Sequence, residues 1–343
     1  MKLNRKAIIA ISQIIIIIVA IIFIAVYPTK KKTAYVRNQG MAQGTYYSAI
    51  YLQPDGRDLQ HEIDSFLNVI NNSLSVYNPN SIISRVNRND TTVILDDIFE
   101  QMFVASQRIS EITHGTFDIT VAPLISAWGF GADSQNNENQ PNVDSLLELT
   151  GYQKVKLINH KIVKEHPSIM LNANAIAQGL TSDLVGKFLE SFGCENYLFD
   201  IGGEIVSKGV NEKGEKWRIG IDKPIDDPSV ANREIQAIML VNDAALTTSG
   251  NYRKFYYRDG KKIGHTIDPR TGYPVLSDLL SVTVVAPTCT EADAFCTAFM
   301  VMGADSALAI CKRIPELECY LLLTDSVEEY KIEMSENFHK YLK

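Results

Sequence analysis

Hydrophobic residues form one almost unbroken run near the start of the chain, over residues 7–27, which only Ser12 and Gln13 interrupt. This length suits a helix that crosses a bilayer, which needs about 20 residues. Ile and Val continue to the end of the run without a small-residue cleavage site. The run therefore predicts an uncleaved transmembrane anchor within residues 1–32 rather than a removable signal peptide. Basic residues flank both ends, so they leave its orientation open.

Apolar residues recur at helical spacing in several later segments. Residues 59–74 and 98–112 carry apolar side chains three or four positions apart, and each pattern predicts an amphipathic helix. Gly115 is expected at the C′ position of the second helix. Further helices are predicted over residues 175–192, 291–302 and 304–313.

Alternating, β-branched and aromatic segments dominate the rest of the chain. One strand is predicted over residues 44–52, and a hairpin over residues 155–164 turns at Asn159. Further strands are predicted over residues 197–199, 204–208, 217–221, 235–241, 281–286 and 320–324. Because strands come in runs rather than alternating with helices, we expect an α+β fold with largely antiparallel sheets and flanking helices.

These patterns divide the chain into four parts. The transmembrane anchor occupies residues 1–32, and a polar linker follows over residues 33–40. A single domain extends over residues 41–330, and residues 331–343 form a C-terminal tail.

Charge and cysteine content exclude several classes of protein. The chain carries 33 basic and 40 acidic residues, a net charge of −7, and the part beyond the anchor is more acidic still. Such a body is a poor partner for nucleic acid. The five cysteines are odd in number and show no metal-ligand spacing, so neither a disulfide framework nor a zinc site is expected.

Polar side chains are densest between residues 265 and 274. His265, Asp268 and Arg270 lie within six residues, next to a turn that contains Gly and Pro. A histidine in such a loop is a candidate general base because its pKa lies near neutrality. The alternative is a loop histidine that is hydrogen-bonded to Asp268 and has no catalytic role.

Asp293 and Thr297 form a second candidate site. Their spacing of four residues places a carboxylate and a hydroxyl on one helical face, where hard oxygens suit Mg²⁺ or Ca²⁺. Two structural alternatives remain open. Thr290 and Asp293 fit a helix N-terminal capping arrangement, and the Thr297 hydroxyl fits a bond to its own i−4 carbonyl.

Two other polar clusters are compatible with ligand binding. Residues 200–204 contain paired glycines, which indicate a tight turn or a close approach of the backbone to a ligand. Residues 247–252 are rich in hydroxyls and suit either phosphate oxygens or an ordinary turn. The ordinary dinucleotide and P-loop motifs are absent from the sequence.

Taken in order, these segments resemble the ApbE family of FAD:protein FMN transferases. The similarity extends over about residues 41–303, and its specificity comes from the succession of motifs rather than from any one of them. The matching stretches are residues 75–87, 117–124, 174–179, 202–204, 217–221, 248–250, 265–274 and 292–297.

The resemblance implies a Mg²⁺-dependent enzyme that takes FAD as substrate. It transfers the FMN half to a Thr or Ser hydroxyl of an acceptor protein and releases AMP. The implied metal ligands are Asp293, Thr297 and the backbone carbonyl of Ala175, and the implied base is His265. Implied flavin or adenine contacts are Met41, Tyr77, Thr116, Phe117, Asp118, Asn172, Gln178 and Ile267. Thr248, Ser249 and Gly250 are expected to hold the transferring phosphoryl group.

The sequence departs from its relatives at two of these positions. Gln178 stands where many relatives have Lys, and Asn172 replaces a common acid, so the balance of charge around the diphosphate differs. The resemblance also implies an active domain on the outer, periplasmic face of the cytoplasmic membrane. Two other functions remain open at this stage: an FAD pyrophosphatase that uses water as acceptor, and a membrane-tethered flavin carrier without turnover.

Overall fold

The computed structural model describes residues 34–131, 141–224, 234–251, 255–258, 261–324 and 330–343. The predicted anchor over residues 1–32 lies outside these ranges. Within them, every helix is too short or too polar to cross a bilayer.

Antiparallel strands form the centre of the fold. In chain order they are β1 (Val36–Ala42), β2 (Thr45–Tyr51), β3 (Val155–Ile158), β4 (Lys161–Lys164), β5 (Tyr197–Ile201), β6 (Glu204–Lys208), β7 (Trp217–Asp222), β8 (Ile235–Val241), β9 (Ala244–Gly250), β10 (Phe255–Arg258), β11 (Lys261–Gly264), β12 (Leu279–Ala286), β13 (Glu318–Thr324) and β14 (Tyr330–Met334). Eight of them build one sheet in the order β1-β2-β5-β6-β9-β12-β13-β14, while β3-β4, β7-β8 and β10-β11 are separate hairpins.

Helices pack against this sheet. They are α1 (Gln60–Leu74), α2 (Ile82–Asn87), α3 (Asp97–Ile112), α4 (Ala122–Ala127), α5 (Val143–Leu147), α6 (Ala177–Ser191), α7 (Cys289–Met302) and α8 (Ala304–Arg313). Helix α7 buries 11 of its 14 residues, among them Phe295 and Phe299. A helix that is apolar on nearly every side belongs in the interior, and α7 contacts α6, β9 and β12.

Both ends of the described chain are more ordered than the sequence predicts. Part of the expected linker is β1, which pairs with β2 along its whole length. Part of the expected tail is β14, which pairs with β13, and Phe338 beyond it is fully buried. The hydrophobic pattern misses β1 and β14 because they are the two edge strands, and edge strands carry polar residues that blunt further pairing.

Two local predictions are also corrected. Residues 247–250 are not a turn but the end of β9 in the middle of the sheet. Helix α3 ends at Ile112 as expected, but His114 (φ 52°) takes the C′ position and Gly115 (φ 77°) follows it. The Gly115 N–H donates to the Ser110 carbonyl, which is the longer bond of a Schellman motif.

Candidate active site

Helices α6 and α7 touch at Gly179. A Cβ atom built at this position would lie 2.3 Å from the Cys289 carbonyl oxygen and 2.7 Å from the Asp293 Cβ. Only glycine therefore permits this approach. The approach also lets the Gly179 N–H donate to Asp293 Oδ2 at 3.0 Å, so one helix fixes the carboxylate of the other.

Asp293 is a buried carboxylate with little local compensation. Its side chain belongs to a residue that is only 5% exposed, and its one described hydrogen bond comes from Gly179. Burial raises the pKa of Asp293 to about 7, and the nearby charge of Asp183 adds to the rise. A carboxylate held this way favours a bound cation, because a cation supplies the missing compensation.

The contacts at the start of α7 exclude the capping alternative for Asp293. The N-cap of α7 is Thr288, whose side chain accepts from the Glu291 N–H, so Asp293 is not part of a capping box. Asp183 accepts from Cys289 and from Thr290 at the start of the same helix.

Thr297 is half-buried, on the face of α7 that Asp293 shares. No hydrogen bond from its hydroxyl to another described residue is present, including the carbonyl four residues earlier. Both the carboxylate and the hydroxyl of the pair thus remain available to a ligand.

One cavity of about 350 Å³ brings nearly all the sequence-predicted site residues together. A volume of this order is typical of small-molecule sites. The predicted residues in its wall are Tyr77, Thr116, Phe117, Asp118, Asn172, Ala175, Gln178, Thr248, Ser249, Gly250, His265, Ile267, Asp293 and Thr297. We call this space the reaction cavity.

A larger cavity of about 850 Å³ adjoins the reaction cavity. Met41, the one predicted residue that does not line the reaction cavity, is in its wall. Tyr77, Asn174 and Gln178 line both spaces, so the two cavities share a wall. Tyr77 is 64% exposed, and its hydroxyl accepts from Asn174 Nδ2 at 3.3 Å. We call this second space the side cavity.

The C-terminal half of β9 forms one wall of the reaction cavity. Strand β6 pairs with β9 only as far as Ile205–Leu246, whereas β12 pairs with it up to Gly250. The last residues of β9 therefore have a sheet neighbour on one side only. Backbone groups and hydroxyls at such an edge can bind the oxygens of a ligand.

His265 begins a turn that is held by hydrogen bonds among its own residues. The Gly272 N–H donates to the Asp268 carbonyl at 2.7 Å, and Ile267 pairs with Pro274 in an isolated bridge. The Asp268 carboxylate accepts from the backbone N–H and from the guanidinium of Arg270. His265 itself is half-buried at the wall of the reaction cavity, with its ring edge-on to Phe130 at 6.3 Å between centroids.

Asp118 and Asn172 line the cavity and also accept hydrogen bonds from backbone N–H groups. The Asp118 carboxylate accepts from Thr120 through one oxygen and from the Tyr152 N–H through the other. Burial is the main cause of its raised pKa. Asn172 Oδ1 accepts from the Asn174 N–H at 2.8 Å. These contacts shape the loops that expose Phe117 and Ala175 to the cavity.

Gln43, Asn174 and Glu204 are among the cavity-lining residues that carry no role in the sequence interpretation. Asn174 and Glu204 lie inside stretches that the sequence interpretation singled out, but the sequence does not show that these two residues line a cavity. Gln43 gave no periodic or motif signal, because it occupies a hairpin turn.

Comparison with known proteins agrees with this architecture. Residues 43–321 match the profile of the ApbE family. The chain belongs to the ApbE family. It is 33% identical to a FAD:protein FMN transferase of Vibrio cholerae over 91% of this chain and 94% of that protein. It is 32% identical to the Escherichia coli K12 protein of the same description, covering 89% of this chain and 88% of that one.

Solved structures show the same α+β fold. The flavin transferase ApbE from Vibrio cholerae superposes with a TM-score of 0.80 at 31% identity, covering 90% of this chain and 99% of that one. The apo flavinyl transferase ApbE of Pseudomonas stutzeri gives a TM-score of 0.79 at 27% identity, with coverage of 90% and 96%. The antiparallel sheet and flanking helices expected from the sequence are thereby confirmed.

Proposed function

We propose that this chain is a FAD:protein FMN transferase, which moves the FMN half of FAD to a Thr or Ser hydroxyl of an acceptor protein. One observation carries the proposal: a single cavity combines the Asp293–Thr297 pair with an imidazole, His265, and with the open edge of β9. The names of the ApbE relatives support the same activity.

Charge in the reaction cavity argues for a divalent cation. Its wall contains the carboxylates of Asp118, Glu204 and Asp293, and none of its described residues is Lys or Arg. A diphosphate would meet net repulsion there without a counter-ion. The donor set of Asp293, Thr297 and the Ala175 carbonyl consists of hard oxygens and fits Mg²⁺. When bound, Mg²⁺ neutralises charge that develops at the diphosphate during displacement.

The remaining residues divide the work of the reaction. His265 accepts the proton of the acceptor hydroxyl as its oxygen bonds to the flavin-side phosphorus. The bond between that phosphorus and the bridging diphosphate oxygen breaks, and AMP leaves. Donors at Thr248, Ser249 and Gly250 stabilise the transferring phosphoryl group, and the two adjoining cavities hold the ring systems of FAD.

The apolar run over residues 7–27 supports a location for this activity. It anchors the domain in the cytoplasmic membrane, with the reaction cavity on the extracytoplasmic side. The acceptors are then redox proteins that reach the same compartment. Protease treatment of intact spheroplasts tests this orientation, because an outward-facing domain is digested and an inward-facing one is protected.

The transfer test uses the full-length chain in detergent micelles with FAD, MgCl₂ and an acceptor protein that bears a flavinylation motif. Intact-mass spectrometry of the acceptor is expected to show an FMN adduct with the wild type and none with Asp293→Ala. Asp293→Asn keeps the size of the side chain but removes its charge, and is expected to lose at least about a hundredfold in rate. Asp305→Asn, an exposed position on α8, is the matched control and should behave as the wild type.

Two other outcomes would point to different functions. Release of FMN and AMP at the same rate with and without acceptor would indicate a pyrophosphatase. FAD binding with no AMP formed, and no effect of Asp293→Asn, would indicate a flavin carrier. Either result would contradict the transferase.

A further inference from the structure

The turn between β1 and β2 places an unusual residue at the side cavity. Ala42 pairs with Thr45, so Gln43 and Gly44 form a two-residue hairpin loop with φ of 50° and 76°. Positive φ at both positions defines a type I′ turn, in which Asn, Asp or Gly is preferred at the first position. A glutamine there is strained, and local strain of this kind concentrates at functional sites.

The hydrogen bonds around Gln43 fix which way its amide faces. Gln43 Nε2 lies 2.7 Å from Thr181 Oγ1, and Thr181 Oγ1 lies 2.7 Å from the Ala177 carbonyl oxygen. A hydroxyl has one proton, and a carbonyl oxygen can only accept. Thr181 therefore donates to Ala177 and must accept from Gln43. This places the amide nitrogen at Thr181 and the amide oxygen on the opposite side.

The oxygen of this oriented amide lacks a partner. Gln43 Oε1 is shielded from solvent and has no hydrogen bond within the described part of the chain. A buried acceptor without a donor is destabilising, because the group has lost water and gained nothing in exchange. Gln43 lines the side cavity, which adjoins the reaction cavity at Tyr77 and Gln178.

We propose that Gln43 is a substrate-reading residue whose carboxamide oxygen accepts a hydrogen bond from a ring-borne N–H group of the dinucleotide. The inference rests on the proposed function and names a contact within it. The side cavity suits a flat polar ring: exposed Met41 and Tyr77 offer apolar surface, and Asn71 and Asn78 offer hydrogen bonds. FAD carries two such donors, the adenine amino group and the flavin imide N–H.

The binding test compares Gln43→Met and Gln43→Asn with the wild type, using the full-length chain, Mg²⁺ and FAD, and follows quenching of flavin fluorescence. Met has a similar length but no acceptor. Asn is favoured at this turn position, so its fold is secure, but it is shorter by one methylene. Both variants are expected to bind FAD about tenfold more weakly, with a midpoint of thermal unfolding equal to or above that of the ligand-free wild type. The control is Gln39→Met, because Gln39 is an exposed residue of β1 that lines neither cavity.

Two FAD analogues identify the donor. One carries hypoxanthine in place of adenine, and the other carries a methyl group on the flavin imide nitrogen. The analogue that lacks the donor should bind the wild type about tenfold more weakly than FAD does. It should bind Gln43→Met with the same affinity as FAD, because that variant has already lost the acceptor. Wild-type affinity of both variants for FAD would overturn the inference, and so would a lower thermal midpoint with unchanged affinity. Because the assay needs no turnover, a wild type that binds FAD through Gln43 but transfers nothing would refute only the transferase.

Discussion

Gly179→Ala is the most direct test of the site architecture. The new methyl group would lie 2.3 Å from the Cys289 carbonyl oxygen and 2.8 Å from its carbon, whereas ordinary contacts begin at 3.4 Å. The obstacle is backbone, so rotation of a side chain cannot relieve it. Helices α6 and α7 must separate by about an ångström, because close-packed interiors yield little. The separation also lengthens the hydrogen bond from the Gly179 N–H to the Asp293 carboxylate.

The net effect on stability follows from two opposed terms. Alanine favours a helix over glycine by about 1 kcal/mol. Overpacking costs about 1–3 kcal/mol, and a contact with rigid backbone belongs at or above the upper end. We therefore expect a loss of about 2 kcal/mol, or roughly 4–8 °C in the thermal midpoint. Misplacement of Asp293 by about an ångström should lower the rate of FMN transfer up to a hundredfold.

Differential scanning fluorimetry and the acceptor-mass assay measure the two effects on the same preparation. Gly186→Ala is the matched control, since it lies on the same helix and its new Cβ would meet the end of the Tyr197 side chain, with the hydroxyl oxygen at 2.9 Å, rather than backbone. It should change the midpoint by less than about 2 °C and leave transfer intact. A Gly179→Ala protein as stable and as active as the control would refute the close approach of α6 and α7.

Three further outcomes are expected. His265→Ala should bind FAD normally but lose about 10²–10⁴-fold in transfer rate, as measured by acceptor mass, and a weaker FAD affinity with an unchanged rate would contradict the proposed base. Asn87→Leu removes two hydrogen bonds to the Leu171 backbone; it should raise the KM for FAD and lower the thermal midpoint by several degrees, and an unchanged KM and midpoint would contradict this role. Chelation by EDTA should abolish transfer and MgCl₂ should restore it, while continued transfer in EDTA would exclude the metal-dependent reaction.

The sequence predicts the long periodic helices well, because each helix buries one face and that face repeats apolar residues at helical spacing. Helix α1 begins within one residue of the predicted start, and α3 likewise. The sequence pattern predicts no strand at β1, β9, β10, β11 or β14. The two edge strands are polar, and residues 247–249 of β9 carry hydroxyls that also suit turns. Only the order of the sheet distinguishes these cases, and pairing between distant strands leaves no local pattern.

The candidate site shows the same division. Spacing alone places Asp293 and Thr297 on one helical face, and glycine and proline mark the turn after His265. Nothing local brings either segment to Phe117 or to the end of β9. That convergence depends on β9 lying between β6 and β12 in the sheet, with α7 across it. The family resemblance supplied these residues, and the structure places them around one cavity.

Stability and chemistry make opposite demands at two points of these cavities. Asp293 is a buried carboxylate with one described hydrogen bond, and Gln43 Oε1 is a buried acceptor with none. Neither arrangement favours the ligand-free fold. Each becomes favourable when a ligand provides what is missing, a cation at one and an N–H donor at the other. Binding of substrate and metal should therefore stabilise this chain more than the new contacts alone would, because it also removes costs already present in the empty protein.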